Sequence, residues 1–431
     1  MDERLVVISA DCHMGNSLMN WEPWLDQECL PVYRERRKVM FERSFVMKML
    51  SRNEQAGRSD DIFDLRSVFP PETLDDQIED RRRFLNEQVG RADGLGSMTT
   101  GGDTDPERRL RELEGDGTVG DIVMGQCSPL LVQGRGDPAL LIANSQAVNR
   151  WMADFVSHHP ERHAGAISVP LGAPIEAVVE QVRWGRAHGL RGGIQLTTSP
   201  EIDGLPLYSH NYYEPLWAVC AELDVPVLIH GGTGALPPQA GGAALWILER
   251  GWFHRRPLRY FIFGAVFERH PRLKVVFIET SAYWVVDELR MLDELYLGTA
   301  EVGSITRDHN PHMHRLLSGV QTLLPRKPSE YFQSNCYVGL GAWPACWASY
   351  PAIGVNNIVW GSDYPHNEAS WPHSMQQVSQ TTRELRVPGE DLRKILGANA
   401  ARIWGFDLQR LQPVADRVGP SLRQLQGQLA S

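Results

Sequence analysis

Four stretches of this chain share one design: an apolar run that stops at a side chain able to hold a metal or move a proton. Val6, Val7 and Ile8 lead to Asp11 and His13, and Pro226–Ile229 leads to His230 with Gly231 and Gly232 behind it. Leu273–Ile278 leads to Glu279, and Ile358, Val359 and Trp360 lead to Asp363, Pro365 and His366. Asp11 and His13 are two residues apart, so on a strand both side chains face one way. A carboxylate and an imidazole side by side suit a divalent ion of the zinc or manganese type. Each residue alone has an ordinary explanation. Asp11 and Asp363 could cap turns, and His13 and His230 could be core histidines bonded to a carbonyl. The joint pattern carries the chemistry, because parallel barrel strands bring their C-terminal ends to one mouth.

Those ends meet only if the elements alternate correctly. Strand-like runs are expected at Arg4–Ala10, Asp121–Gly125, His163–Leu171, Gly192–Leu196, Val225–His230, Lys274–Glu279, Gln333–Leu340 and Asn357–Gly361. Helical patterns separate most of them, at Pro138–Ser157, Pro174–His188, Tyr213–Leu223, Leu258–His270 and Ala282–Tyr296. In Pro174–His188 the residues Ile175, Val178, Val179 and Val182 form an apolar face at helical spacing, and Gly189 stops it. Strands alternating with helices predict a parallel sheet, and eight of them predict a closed (β/α)8 barrel over residues 1–407.

Residues 40–110 break the rhythm with charge-rich and Gly-rich sequence. They read as an insertion after the first strand, helical in part, that covers the barrel mouth. Residues 297–330 read as a second insertion, between strands six and seven. Residues 408–431 form a tail that could be a helix, a dimer contact or a frayed end.

The length, 431 residues, fits one barrel with insertions. A net charge of -10 argues against a nucleic-acid partner. Nothing resembles a membrane span or a signal segment, and six cysteines lack CxxC spacing. A cytoplasmic protein with reduced thiols and a small-molecule substrate is expected.

After the fifth strand, a loop is expected to carry Trp246, Trp252, Phe253, His254, Arg255 and Arg256. Trp252 and Arg255 are candidate substrate contacts and His254 a candidate proton carrier; the alternative is a Trp-rich helix face on the barrel. His366 and Trp371, after the eighth strand, are further candidate substrate contacts. His309, His312 and His314 read as solvated residues of the second insertion.

The chain resembles amidohydrolase family 2, a branch of the amidohydrolase superfamily that includes aromatic acid decarboxylases. Beyond the run-end residues, the likeness rests on Asn149-Arg150-Trp151, Pro160-Glu161-Arg162, Tyr213-Glu214-Pro215-Leu216-Trp217, His270-Pro271-Arg272-Leu273-Lys274 and Ile395–Arg402. It implies a (β/α)8 barrel around one divalent ion, with Asp11, His13, His230 and Asp363 as ligands. Zinc is the leading expectation, with manganese and iron as alternatives, and a homodimer would match many relatives. The fourth strand ends in Gln195 and Leu196, so no carboxylated lysine is implied.

One position departs from the pattern. Decarboxylase members carry a histidine at the end of strand six, where this chain has Glu279. A third carboxylate beside the cation would disfavour an anionic substrate. The expectation is therefore a hydrolase of amides, esters, lactones or activated C–C bonds. Asp363 would accept the proton of the attacking water, and Glu279 would assist or orient that water, the alternative being that Glu279 pairs with a nearby arginine and only holds structure. The alternative is non-oxidative decarboxylation of an aromatic or enoic acid. A more distant one is a barrel that binds a ligand without catalysis.

Overall fold

The structure is a computed structural model that describes residues 3–14, 19–43, 101–125, 128–130, 136–231, 242–298, 319–341, 344–366 and 370–427. Strands of a parallel barrel are covered on both faces, so they read as unbroken apolar runs rather than alternating ones. Here Val227–His230, Val275–Ile278 and Ile358–Trp360 are buried at every residue. The eight strands are β1 (Ile8–Met14), β2 (Gly120–Gly125), β3 (His163–Ile167), β4 (Gly193–Thr197), β5 (Val227–His230), β6 (Val275–Ile278), β7 (Cys336–Leu340) and β8 (Ile358–Trp360). They pair in sequence order, all parallel, with helices between them, as a (β/α)8 barrel requires.

Alternate strand residues fill the barrel interior: Ile8, Ala10, Ile122, Met124, Ala166, Leu228, Val276 and Ile278 form one buried cluster. Their neighbours Val123, Ile167, Val227, Ile229 and Phe277 pack outward against the helices. The helix Pro138–Ser157 forms where expected. Asp137 caps it by accepting the Ala139 N–H at 2.9 Å, and Trp151 and Phe155 face the sheet.

Two expectations need correction. The first strand starts later and runs through both site residues, with a register shift between Ser9 and Cys12. The segment expected as a loop after β5 is largely a helix, Gly242–Phe263. Pro257 lies inside it and reads as a breaker, since proline lacks an N–H to donate. Burial of Leu258, Phe261 and Ile262 outweighs that cost.

Residues 44–100, most of the expected lid, lie outside the described residues, as do 299–318 of the second expected insertion and His309, His312 and His314. The tail is two helices, Leu408–Val418 and Leu422–Gln426, with Leu411, Ala415 and Leu425 buried. The Leu5 N–H donates to the Pro420 carbonyl at 2.9 Å, and the Leu422 N–H to Glu3 at 3.1 Å. Among the described residues, no helix is long and apolar enough to cross a membrane.

Candidate metal centre

The barrel closes where β8 returns to β1, and the centre is built on that closure. The Asp363 N–H donates to the Asp11 carbonyl at 2.8 Å, and the His13 N–H to the Tyr364 carbonyl at 2.6 Å. Beneath them the Ser9 hydroxyl donates to the Asp11 carbonyl at 2.9 Å and accepts the Ser362 N–H at 2.9 Å. A side chain at Gly361 would place its Cβ 2.4 Å from that of Asp11, so only glycine lets the two strands approach this closely.

Four side chains picked out by the sequence come together here. His13 Nε2 lies 3.3 Å from Asp11 Oδ1, 3.0 Å from Asp363 Oδ1 and 3.3 Å from His230 Nε2. His230 Nε2 lies 3.7 Å from Asp11 Oδ1. Two ligands about 2.1 Å from one ion stand roughly 3.0–3.4 Å apart, which these separations approach. The ligating atoms fall in two overlapping sets, Asp11 with His13 and His230, and His13 with Asp363 and His366. Within each set they lie within 4.8 Å of one another. The buried Oδ1 atoms of Asp11 and Asp363 accept no hydrogen bond among the described residues, although each faces an imidazole. Buried carboxylate oxygens left this way want a cation.

The electrostatics agree. Burial alone would raise the Asp11 carboxyl, but His13 and His230 hold it well below the usual carboxylate range. Burial opposes charge on His230, yet Asp11 and then Glu279 lift it to about 9. The cluster draws positive charge. The donor set, two carboxylates and two or three imidazoles, suits a divalent transition ion.

Glu279 sits behind this cluster. Its Oε2 is 3.5 Å from His230 Nδ1, the ring nitrogen that faces away from His13, and its Oε1 is 3.3 Å from Arg250. Burial pushes the Glu279 carboxyl up. The same Nδ1 lies 2.8 Å from the Gly231 carbonyl, which fixes the ring, and the carboxylate behind it raises the basicity of the imidazole. The expected third carboxylate beside the cation is thus displaced outward and partnered by a guanidinium. Both Glu279 and Asp363 adopt left-handed backbone, at φ 53 and φ 59 degrees, an uncommon state for non-glycine residues that concentrates at functional sites.

The other candidates spread out. His254 is buried on the helix Gly242–Phe263, with Nδ1 3.2 Å from the Thr280 carbonyl. Burial, then Arg250, lowers it to about 4, so it is neutral at physiological pH. Arg255 Nε donates to the Gly251 carbonyl at 3.0 Å, and Arg256 pairs with Glu201. Trp252 is 52% exposed and lies under the Arg259 guanidinium, on the outer face of its helix. Trp371 packs edge-on against Tyr364 and donates to the Glu112 carbonyl at 3.3 Å. None of these five lines the cavity beside the centre. That cavity, about 330 Å³, is bounded by His230 with Gly125, Ala166, Ser168, Gln195 and Thr197. Asn149 holds its Ser168 wall, accepting the Ser168 N–H at 2.7 Å and donating to its carbonyl at 2.9 Å.

Arg109 was not anticipated. It is fully buried on the helix Pro106–Gly115, donates to the His13 carbonyl at 2.9 Å, and pairs with Asp121 at 2.7 Å. Asp121 in turn contacts His163 Nδ1 at 2.6 Å. Burial would raise the Asp121 carboxyl, but Arg109 and His163 hold it at about 2. The signal was present: Asp121 opens an apolar run, and a buried acid needs a cationic partner. Nothing local selects Arg109 over Arg108 or Arg111 as that partner.

The eight-stranded barrel with a metal-competent mouth defines a class, and the chain belongs to the amidohydrolase family, whose model matches residues 118–406. Among curated relatives, it is 23% identical to 2-amino-3-carboxymuconate-6-semialdehyde decarboxylase of Dictyostelium discoideum, over 70% of this chain and 77% of that one. Among solved structures, 5-carboxyvanillate decarboxylase of Sphingomonas paucimobilis superposes at TM-score 0.59 and 17% identity, covering 94% of this chain and all (100%) of that one. A 5-carboxyvanillate decarboxylase of Novosphingobium aromaticivorans, solved with bound manganese, gives TM-score 0.56 and 16% identity, over 93% of this chain and 97% of that one.

Proposed function

We propose that this chain is a metal-dependent carboxy-lyase that removes CO₂ without oxidation from a small aromatic or enoic acid. The observation that carries this reading is the placement of Glu279. The sequence argument for hydrolysis needed a third carboxylate beside the cation, and Glu279 instead lies behind His230 against Arg250. Asp11 and Asp363 are then the two acidic ligands, and they balance a divalent charge. A site without excess negative charge accepts a substrate carboxylate. The decarboxylases among the relatives favour the same reading.

A divalent ion held by Asp11, His13, His230 and Asp363 would supply Lewis acidity to a substrate oxygen. The cavity between His230 and Gln195 is of a size for one ring. Asp363, beside His366 at 2.8 Å, is placed to hold a proton and deliver it to the substrate. When the bond between the substrate carbon and its carboxylate breaks, the electron pair stays on that carbon, Asp363 passes to it a proton taken up from a water molecule and returns to its ionised form, and CO₂ departs. The Gly231 carbonyl keeps His230 oriented throughout, with the Glu279 charge behind it.

The test is a panel of aromatic and enoic acids, amides, esters and lactones with metal-loaded protein in deuterated water. Release of CO₂ with one deuterium at the vacated carbon is expected. Cleavage of an amide, ester or lactone, without CO₂ from any acid, would overturn the proposal in favour of hydrolysis.

A further inference from the structure

We infer that His366 is a ligand of the metal centre, so that three imidazoles rather than two hold the cation. This rests on the reading that the site takes a divalent ion. His366 Nδ1 lies 2.8 Å from Asp363 Oδ1, and that oxygen lies 3.0 Å from His13 Nε2. The three atoms form a set within 4.8 Å of one another. The His366 ring lies parallel to that of His13, with centroids 4.2 Å apart and planes at 12 degrees.

The backbone fixes the arrangement before any ion arrives. The His366 N–H donates to the Asp363 carbonyl at 2.9 Å, closing a tight turn, and Asp363 is held left-handed at φ 59 degrees. The turn brings both side chains together, and His366 keeps only 10% of its side chain exposed. Substrate contact, the role expected from sequence, finds less support: the cavity lining beside His230 does not include His366. The buried Asp363 oxygen that faces both imidazoles accepts no hydrogen bond among the described residues. A cation at the nitrogen edges of the two rings, beside this oxygen, would satisfy it. A neutral imidazole adds a donor without adding charge, so His366 would tighten the site while leaving its balance unchanged.

The experiment uses the full chain, stripped of metal and reloaded with Mn²⁺. Pulsed electron paramagnetic resonance counts the imidazole nitrogens coupled to the ion, and titration gives the Mn²⁺ dissociation constant. Three imidazoles are expected in the wild type. Two are expected in His366→Ala and in His366→Phe, which keeps a ring stacked on His13. Mn²⁺ binding should weaken at least ~10-fold in both, and the imidazole count tells a lost ligand from a lost outer partner. A wild type that binds Mn²⁺ through only two imidazoles overturns this inference and leaves the metal centre standing, whether or not either variant folds. A wild type that binds no divalent ion overturns both.

Discussion

Between β4, β5 and β6 the barrel is held by continuous pairing, Ile194↔Val227 through Thr197↔His230 on one side and Val227↔Val275 through His230↔Ile278 on the other. Between β8 and β1 the pairing is one bridge, Cys12↔Tyr364, plus a few backbone bonds and the hydroxyls of Ser9 and Ser362. His230 comes from the ladder. Asp11, His13, Asp363 and His366 come from the seam. One region presents its ligand by strand pairing alone. The other brings acidic side chains together where the described strand pairing is sparse, and buried polar partners hold them there.

The largest effect should fall on the seam's own chemistry. Asp363→Asn keeps the size of the side chain and removes its capacity to carry a proton, so turnover should drop by about 10²–10⁴ while the fold persists. An activity within tenfold of wild type, measured with metal-loaded protein, would remove Asp363 from the proton path.

Arg109 buttresses the seam from below. Arg109→Met leaves Asp121 buried without its guanidinium and should cost about 3–5 kcal/mol of stability by denaturant unfolding. A loss below about 1 kcal/mol would mean that His163 satisfies Asp121 unaided.

On the ladder side the change should be milder. Glu279→Gln removes the charge behind His230 while the Gly231 carbonyl still holds the ring, so metal affinity should fall by about 10-fold with little change in melting temperature. If instead affinity is unchanged and turnover alone collapses, Glu279 acts on the substrate, and the contrast between seam and ladder fails at that point.

The smallest effect is a pH dependence. Asp116 backs the seam by accepting the Ser374 N–H at 2.8 Å, and burial raises its carboxyl to about 7. An unfolded aspartate titrates near ~3.9, so the folded state binds this proton more tightly. Its contribution is present in full below that unfolded value and is lost as pH rises through about 7. Asp116→Asn mimics the protonated form. It should match wild type in thermal stability near pH 3.5 and exceed it at pH 8, read by calorimetry. Equal stability at both values would show that Asp116 is already ionised in the fold.

The sequence made the barrel legible because apolar runs are what doubly covered parallel strands require, and it made Asp11, His13, His230 and Asp363 legible because each stands at a run's end. It hid the rest for physical reasons. Arg109 sits in a helix studded with Arg108, Arg111, Glu112 and Glu114, where a solvated face is the ordinary reading of such charge. Glu279 was visible as a carboxylate, but its direction depends on a left-handed backbone that no local composition announces. Trp252 and Arg255 were expected on a loop, with a Trp-rich helix face as the alternative; the segment is a helix, and neither residue lines the cavity.

The seam also sets a schedule. Ser9 and Ser362, which touch at 3.1 Å, are separated by 353 residues. At ribosomal rates of about 5–20 residues per second, β1 waits roughly 20–70 s for its closing partner. During synthesis Asp11 and His13 therefore emerge without Asp363, and the acidic mouth exists only once nearly the whole chain is made. The four side chains that meet at this seam can therefore be complete only after β8 has been made.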